Sequence, residues 1–283
     1  MFVTSILPHI QLLRLDRPIG TWLLLWPTVS ALWLAGARGP DIIVFLVFVL
    51  GVVLTRSLGC VINDLADRRY DRHVERTRNR PLANGSLTPL NAIAWFVLLS
   101  ILSCLLLSQL KWETCLIACV AASMIIAYPF FKRFFPIPQL WLGCTFSMSI
   151  PMAFVEMNGS VSVLAVIFYI SCVLWIMAFD IIYALADRRD DRMLGLKSGA
   201  LWFGRYATVA VSAFYLMVFL IWLWVFWKAQ AHLLAVVLLM WIGYLLGKQV
   251  LLIRRDVSQS ANAFYLNHWV GLTLFIALVL CVD

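Results

Sequence analysis

The chain has 283 residues, of which 63% are hydrophobic and only 13% charged, with a formal net charge of +8. Ordinary soluble domains are about half apolar, so this chain, at a mean hydropathy of +0.93, carries more apolar surface than one aqueous core can hide. That excludes a soluble globular domain, and it leaves the basic balance to be read first as membrane topology, with no nucleic acid implied.

Uncharged runs of about 18 residues or more, enough to cross about 30 Å of hydrocarbon, predict an all-α protein of nine spans. In chain order they cover 19–36, 42–60, 91–108, 113–130, 138–156, 161–179, 207–227, 231–252 and 262–281. The first run ends in Ala35-Gly36-Ala37, which looks like a small-residue cleavage site. Arg14 and Arg17 lead into an apolar stretch of spanning length, however, so it is read as a retained span and not as a signal peptide. With the N-terminus cytoplasmic, only Arg38, Lys111 and Lys228 of the 22 Lys and Arg residues fall on the far side, which satisfies the positive-inside rule. The concentrated basic loops also attract anionic lipids or anionic substrates. The seven cysteines lie mainly within spans; Cys115 and Cys119 share a helix face but lack further ligands nearby, and read as packing residues.

Two connections are longer than the rest, at about 61–90 and 181–206. The first contains Leu65-Ala66-Asp67-Arg68-Arg69-Tyr70-Asp71-Arg72 and the second Leu185-Ala186-Asp187-Arg188-Arg189-Asp190-Asp191-Arg192, identical at all but one position. Each copy follows an even-numbered span, so both emerge on the same, cytoplasmic, side. Asp64, Asp67, Asp71 and Glu75 in the first, with Asp180, Asp187, Asp190 and Asp191 in the second, make up more than half of the 14 acidic residues. Acidic residues contribute little to topology. At span ends they are costly and mark a functional site.

Asn63, Asp67 and Asp71 recur every four residues, as do Tyr183, Asp187 and Asp191, so each set lines one face if its helix continues beyond the apolar run. Stacked carboxylates repel one another and call for a cation. Mg²⁺ takes one or two carboxylates and completes its octahedron with water and phosphate oxygens, whereas Zn²⁺ would ask for His or Cys. Two such sets on one side of the membrane grip a diphosphate from both ends, with Arg68, Arg72, Arg76, Arg78 and Arg80 after the first and Arg188, Arg189, Arg192 and Lys197 after the second as phosphate-binding cations. Metal and arginine together promote ionisation of an allylic C–O bond. An aromatic-rich intramembrane pocket then protects the allyl cation from water. Arg14, Arg17 and Arg56 are further basic candidates, Arg56 the most suggestive because it sits two turns before Asp64. His73 beside the first cluster reads as a solvated loop residue.

With those residues in hand, the chain resembles the UbiA superfamily of intramembrane prenyltransferases, and within it the bacterial 4-hydroxybenzoate polyprenyltransferases. The likeness rests on Asn63-Asp64-x-x-Asp67-x-x-x-Asp71, followed by Arg76-Thr77-Arg78-Asn79-Arg80-Pro81-Leu82. It rests equally on Asp180-x-x-Tyr183-Ala184-x-x-Asp187-x-x-x-Asp191 with Gly195-Leu196-Lys197-Ser198, on Leu15-Asp16-Arg17-Pro18-Ile19-Gly20, and on Tyr128-x-x-x-Lys132. The resemblance implies a single domain of nine transmembrane helices around a central cavity in a bacterial inner membrane. It implies Mg²⁺-dependent transfer of a polyprenyl chain from polyprenyl diphosphate to the carbon of 4-hydroxybenzoate ortho to the hydroxyl, in ubiquinone biosynthesis. Carried over by motif, Asn63, Asp64, Asp67, Asp71, Asp180, Asp187 and Asp191 are metal and diphosphate ligands, with Asp67, Asp71, Asp187 and Asp191 central to catalysis. Arg56, Arg72, Tyr128, Lys132, Arg133, Tyr183 and Lys197 are substrate-binding. Ile181 and Ile182 depart from the polar residues common at those positions in close 4-hydroxybenzoate enzymes. Two rival readings stay open: a superfamily member with another acceptor, such as homogentisate, a naphthoate, haem or a lipid, and a secondary transporter, whose carboxylates would sit nearer the bilayer midplane.

Overall fold

A computed structural model describes residues 2–36, 39–229 and 231–281, and among them every regular element is a helix. In order these are α1 (Phe2–Leu12), α2 (Ile19–Ala35), α3 (Ile42–Asp71), α4 (Pro81–Asn84), α5 (Pro89–Leu107), α6 (Trp112–Phe134), α7 (Pro138–Ser147), α8 (Ser149–Asn158), α9 (Val163–Met193), α10 (Gly199–Trp202), α11 (Ala207–Lys228), α12 (Leu233–Arg255) and α13 (Ser260–Val279). Each of the nine predicted runs falls on a helix or helix pair. Eight are long and apolar enough to cross a membrane, while α2, at 17 residues, is shorter. The Ala35-Gly36-Ala37 stretch lies partly outside the described residues, since Ala37 is among those not described.

The acidic motifs are not in loops. The 30-residue α3 and the 31-residue α9 run straight through them, because neither Gly nor Pro interrupts 60–80 or 180–194 and an apolar run may end without the helix ending with it. The helix α9 stops at Gly195, whose φ of +68° closes a Schellman turn: Leu196 N donates to Asp191 O and Gly195 N to Arg192 O, as glycine in the left-handed region allows. The predicted span 138–156 is broken in two at Met148. Pro151 accounts for the break, since it cannot donate to Ser147 and its ring crowds that carbonyl.

Apolar packing divides into two clusters. The larger joins α2, α8, α9, α11, α12 and α13 through fully buried residues such as Trp175, Trp222, Ile150, Leu239 and Val270. Gly143 lets α7 lie directly on α9, where a Cβ would stand 2.8 Å from Val173 O. A buried polar network ties the same helices: Trp175 Nε1 donates to Asn267 Oδ1 (2.8 Å), Asn267 Nδ2 to Gln249 Oε1 (2.7 Å) and the Tyr215 hydroxyl to Gln249 Oε1 (2.6 Å). Such bonds between membrane helices are worth about 0.6–2 kcal/mol each. The smaller cluster gathers Leu12, Leu13, Val61, Leu82, Leu87, Ala92 and Leu99 around α3 and α5. At the opposite membrane face Glu156 is buried, and its Oε2 accepts from Lys111 N (3.0 Å) and Thr114 Oγ1 (2.7 Å), closing the N-terminus of α6. Between the clusters lies a cavity of about 790 Å³, walled by residues of α2, α3, α5, α6, α7, α8, α9 and α13.

Candidate active site

The motif faces of α3 and α9 both turn toward this cavity. Asn63, Asp64 and Asp71 line it from α3, and Asp180, Tyr183, Asp187 and Asp191 from α9. The helical period of 3.6 brings residues three or four apart onto one face, which is why the wall receives Asp180, Tyr183, Asp187 and Asp191 on successive turns of α9.

The first motif is locked by arginines. Asp64 is only 1% exposed, and Arg14 Nη2 donates to both its oxygens, at 2.9 and 2.8 Å. Arg80 Nη1 bridges Asp64 Oδ1 (3.0 Å) and Asp71 Oδ2 (2.9 Å). Burial works against the Arg80 charge, but Asp64 and Asp71 outweigh it and hold its pKa above the ordinary arginine value. Arg14 reaches Asp64 from an unusual backbone position. It terminates α1 in a Schellman turn, with Leu15 N on Ile10 O and Arg14 N on Gln11 O, and its φ of +58° is the left-handed conformation in which glycine is usual. A side chain there costs about 1–2 kcal/mol; the two contacts with Asp64 offset it.

The second motif is held from across the cavity. Arg76 Nε donates to Asp187 Oδ1 at 2.9 Å, Nη2 to Asp187 Oδ2 at 2.5 Å and Nη1 to the Tyr183 hydroxyl at 2.6 Å. Burial opposes this charge too, yet Asp187, Tyr183 and Asp71 keep the Arg76 pKa above the usual range. Since Arg76 feels both Asp187 and Asp71, the motifs face one another across a single guanidinium. Asp180, one turn before Tyr183, interacts with Gln139, whose Oε1 accepts from Gly199 N at 2.7 Å.

Arg56 lines the cavity with its guanidinium 5.7 Å from the centre of the Phe146 ring, and its buried Nε has no hydrogen-bond partner. Gly20 of α2 makes room for it, because a Cβ there would collide with the guanidinium. Tyr128 lines the same space, and Lys197 reaches its rim from the turn after Gly195.

Asp67 is buried on α3, near enough to Tyr128 of the cavity wall to interact with it electrostatically. Not every predicted residue is gathered here. Arg72 turns to α4, its Nε on Ala83 O at 2.9 Å. Arg133 donates to Ala66 O at 3.2 Å and lies over Tyr70 and Phe130. The Lys132 side chain is outside the described residues. Ile181 and Ile182 are fully buried in the larger apolar cluster, so their departure from the family pattern falls in the core and not on the cavity wall. His73 is exposed and away from the cavity. Arg14, Arg76 and Arg80, basic candidates by sequence, here hold Asp64, Asp187 and Asp71, and Gln139 is a site residue that the sequence did not single out.

Among the described residues no three His, Cys, Asp or Glu side chains converge as a preformed metal group. The first motif nonetheless offers carboxylate and amide oxygens and the second carboxylate oxygens, which suit a hard cation that takes few protein ligands and fills its shell with phosphate and water. The donor chemistry therefore fits Mg²⁺ arriving with a diphosphate.

Comparison with known proteins yields a consistent picture. The profile of the UbiA prenyltransferase family matches residues 24–277. The 4-hydroxybenzoate octaprenyltransferase of Methylococcus capsulatus is 41% identical, with 95% of this chain and 92% of that protein covered. The protein of the same name from Aeromonas salmonicida is 42% identical over 97% and 95%. Among solved structures, a UbiA homolog from Aeropyrum pernix superposes with a TM-score of 0.80 at 22% identity, covering 92% of this chain and 96% of that one. A UbiA homolog from Archaeoglobus fulgidus bound to GPP and Mg²⁺ gives 0.72 at 17%, covering 95% and 99%. The all-helical arrangement around a cavity is thus a fold shared with solved structures.

Proposed function

This chain belongs to the UbiA prenyltransferase family, and we propose that it transfers a polyprenyl group from polyprenyl diphosphate to the carbon of 4-hydroxybenzoate ortho to the hydroxyl. In this reading it works with Mg²⁺ at the cytoplasmic face of a bacterial inner membrane, as a step of ubiquinone biosynthesis. One observation carries the reading: a single cavity has a mouth of acidic and basic side chains from both motifs and an apolar body that includes Val47, Phe48, Leu106, Ile125 and Phe146. An anionic headgroup and a long hydrocarbon tail require that division of lining.

The chain's own residues account for each demand of the reaction. Arg76, Arg80 and Lys197 present donors to diphosphate oxygens, and Lys132 is assigned the same part by its motif. Asn63, Asp67 and Asp71 with Asp180, Asp187 and Asp191 are the oxygens that would hold Mg²⁺. Bound there, the metal would neutralise the leaving diphosphate. As the allylic C–O bond weakens, positive charge grows on the tail, and the aromatic faces of Tyr128, Phe146 and Tyr183 along the cavity stabilise it. The apolar walls keep water from intercepting it. Of the two candidates for the acceptor carboxylate, Arg56 and Arg133, the first lines the cavity and has a buried donor without a partner, so the acceptor is assigned to Arg56.

The test uses the purified full chain in detergent, Mg²⁺, a series of polyprenyl diphosphates and labelled 4-hydroxybenzoate. The expected result is a product heavier by one prenyl chain, with stoichiometric diphosphate release, and none in excess chelator. Prenylation of homogentisate or a naphthoate in preference would replace the acceptor assignment. Solute counterflow without diphosphate release would replace the enzyme reading with a carrier.

A further inference from the structure

Asp187 and Arg76 form a closed pair. Both carboxylate oxygens accept from one guanidinium, at 2.9 and 2.5 Å, while the third guanidinium nitrogen donates to the Tyr183 hydroxyl. The guanidinium also lies 4.9 Å over the Tyr183 ring, and Tyr183 is backed by Phe264 of α13. The backbone around Arg76 is fixed by Thr77 Oγ1 on Asp71 O (3.0 Å) and by the buried side chain of Val74. Side-chain rotation alone can therefore redirect the guanidinium.

A divalent ion ligated by Asp187 needs one of those same oxygens and brings two positive charges against the one already present. Guanidinium and metal then repel across a single carboxylate. We propose that Arg76 and the divalent cation are alternative partners of Asp187, and that diphosphate exchanges them by offering the guanidinium a more highly charged pair of oxygens. This rests on the reading above that cation and diphosphate meet at the cavity mouth, and it adds an order to it: the metal gains Asp187 only when diphosphate takes Arg76. By linkage, each of the two ligands then raises the affinity for the other by the same factor.

The experiment measures Mn²⁺ binding to the detergent-solubilised full chain by electron paramagnetic resonance, first with the metal alone and then as manganese pyrophosphate. In Arg76→Gln the expected signs are opposite: Mn²⁺ alone binds about tenfold tighter and manganese pyrophosphate about tenfold weaker, within the usual span of linked binding. A residue with a merely structural part would weaken both. Tyr183→Phe removes one bond of the clamp and keeps the ring, so it should tighten Mn²⁺ alone by a smaller factor; it decides the matter if Arg76→Gln does not fold. Unchanged Mn²⁺ affinity in both variants, with wild-type protein that binds manganese pyrophosphate, overturns this inference only. Wild-type protein that binds no manganese pyrophosphate overturns the functional reading and the inference with it.

Discussion

The two acidic motifs are near-copies in sequence and opposites in environment. Asp64, in the first, is 1% exposed and clamped by Arg14 and Arg80. Asp187, in the second, has a side chain 17% exposed and answers to an arginine from the other half of the chain. The difference arises in the segment C-terminal to each copy. Both segments fold back on their own helix, α4 against α3 and α10 against α9, but the one after α3 returns Arg80 to Asp64 and Asp71, whereas the one after α9 brings Lys197 and Ser198 to the cavity. Asp64 has no counterpart in the second copy, where Ala184 stands at the matching position, so the first motif carries an extra acid that holds the mouth together.

The largest expected effect tests whether carboxylates of both copies serve the chemistry. Asp187→Ala should cut product formation on the order of a thousandfold or more while leaving an inserted, folded protein, because it touches none of the apolar packing; Asp67→Ala and Asp71→Ala should do the same. Transfer assays paired with size-exclusion profiles in detergent check this, and near-wild-type turnover would sink the metal assignment.

Stability should follow the reverse order. Asp64→Ala strands two arginines at a buried position and is expected to cost about 3–5 kcal/mol, seen as a large fall in melting temperature. Asp187→Ala breaks a more open pair worth about 1 kcal/mol or less. Equal melting temperatures for the two variants would erase the contrast.

Smaller effects sharpen the view of the acceptor. Arg56→Ala should raise the 4-hydroxybenzoate KM by about tenfold or more, as loss of a charge-assisted bond does, with donor KM little changed. Arg133→Ala, whose guanidinium rests on Ala66 O, should move it less. A larger shift for Arg133 than for Arg56 would reverse the assignment. Smallest of all, Gly20→Ala should displace the Arg56 head by contact alone and raise the same KM only about twofold to threefold, on the order of 0.5 kcal/mol.

Much of this was written in the sequence. Apolar runs of spanning length fixed the crossings, and the four-residue spacing of Asn63, Asp67 and Asp71 announced a shared face, because both are consequences of helical geometry that need no tertiary information. Arg14 was invisible as a partner of Asp64, since its place depends on a left-handed residue ending α1, an 11-residue helix too short to stand out by periodicity. The Arg76 bridge to Asp187 spans 111 residues, and no local pattern encodes it. The extension of α3 and α9 through their charged ends was legible only conditionally: the absence of glycine and proline permitted it, but packing on neighbouring helices decided it. The break at Met148 could have been read from Pro151. The burial of Ile181 and Ile182 in the core was not legible, because sequence alone does not say which side of α9 meets the core.

The length of α3 and α9 has a consequence of its own. At a rise of 1.5 Å per residue each rod is about 45 Å long, half as long again as the oily slab it pierces. Its charged end therefore stands among the lipid headgroups while its shaft stays in oil. A water-borne acid and a greasy donor that share no common solvent are met at one boundary, and the enzyme behaves as a phase-transfer catalyst whose product is delivered already dissolved in the bilayer.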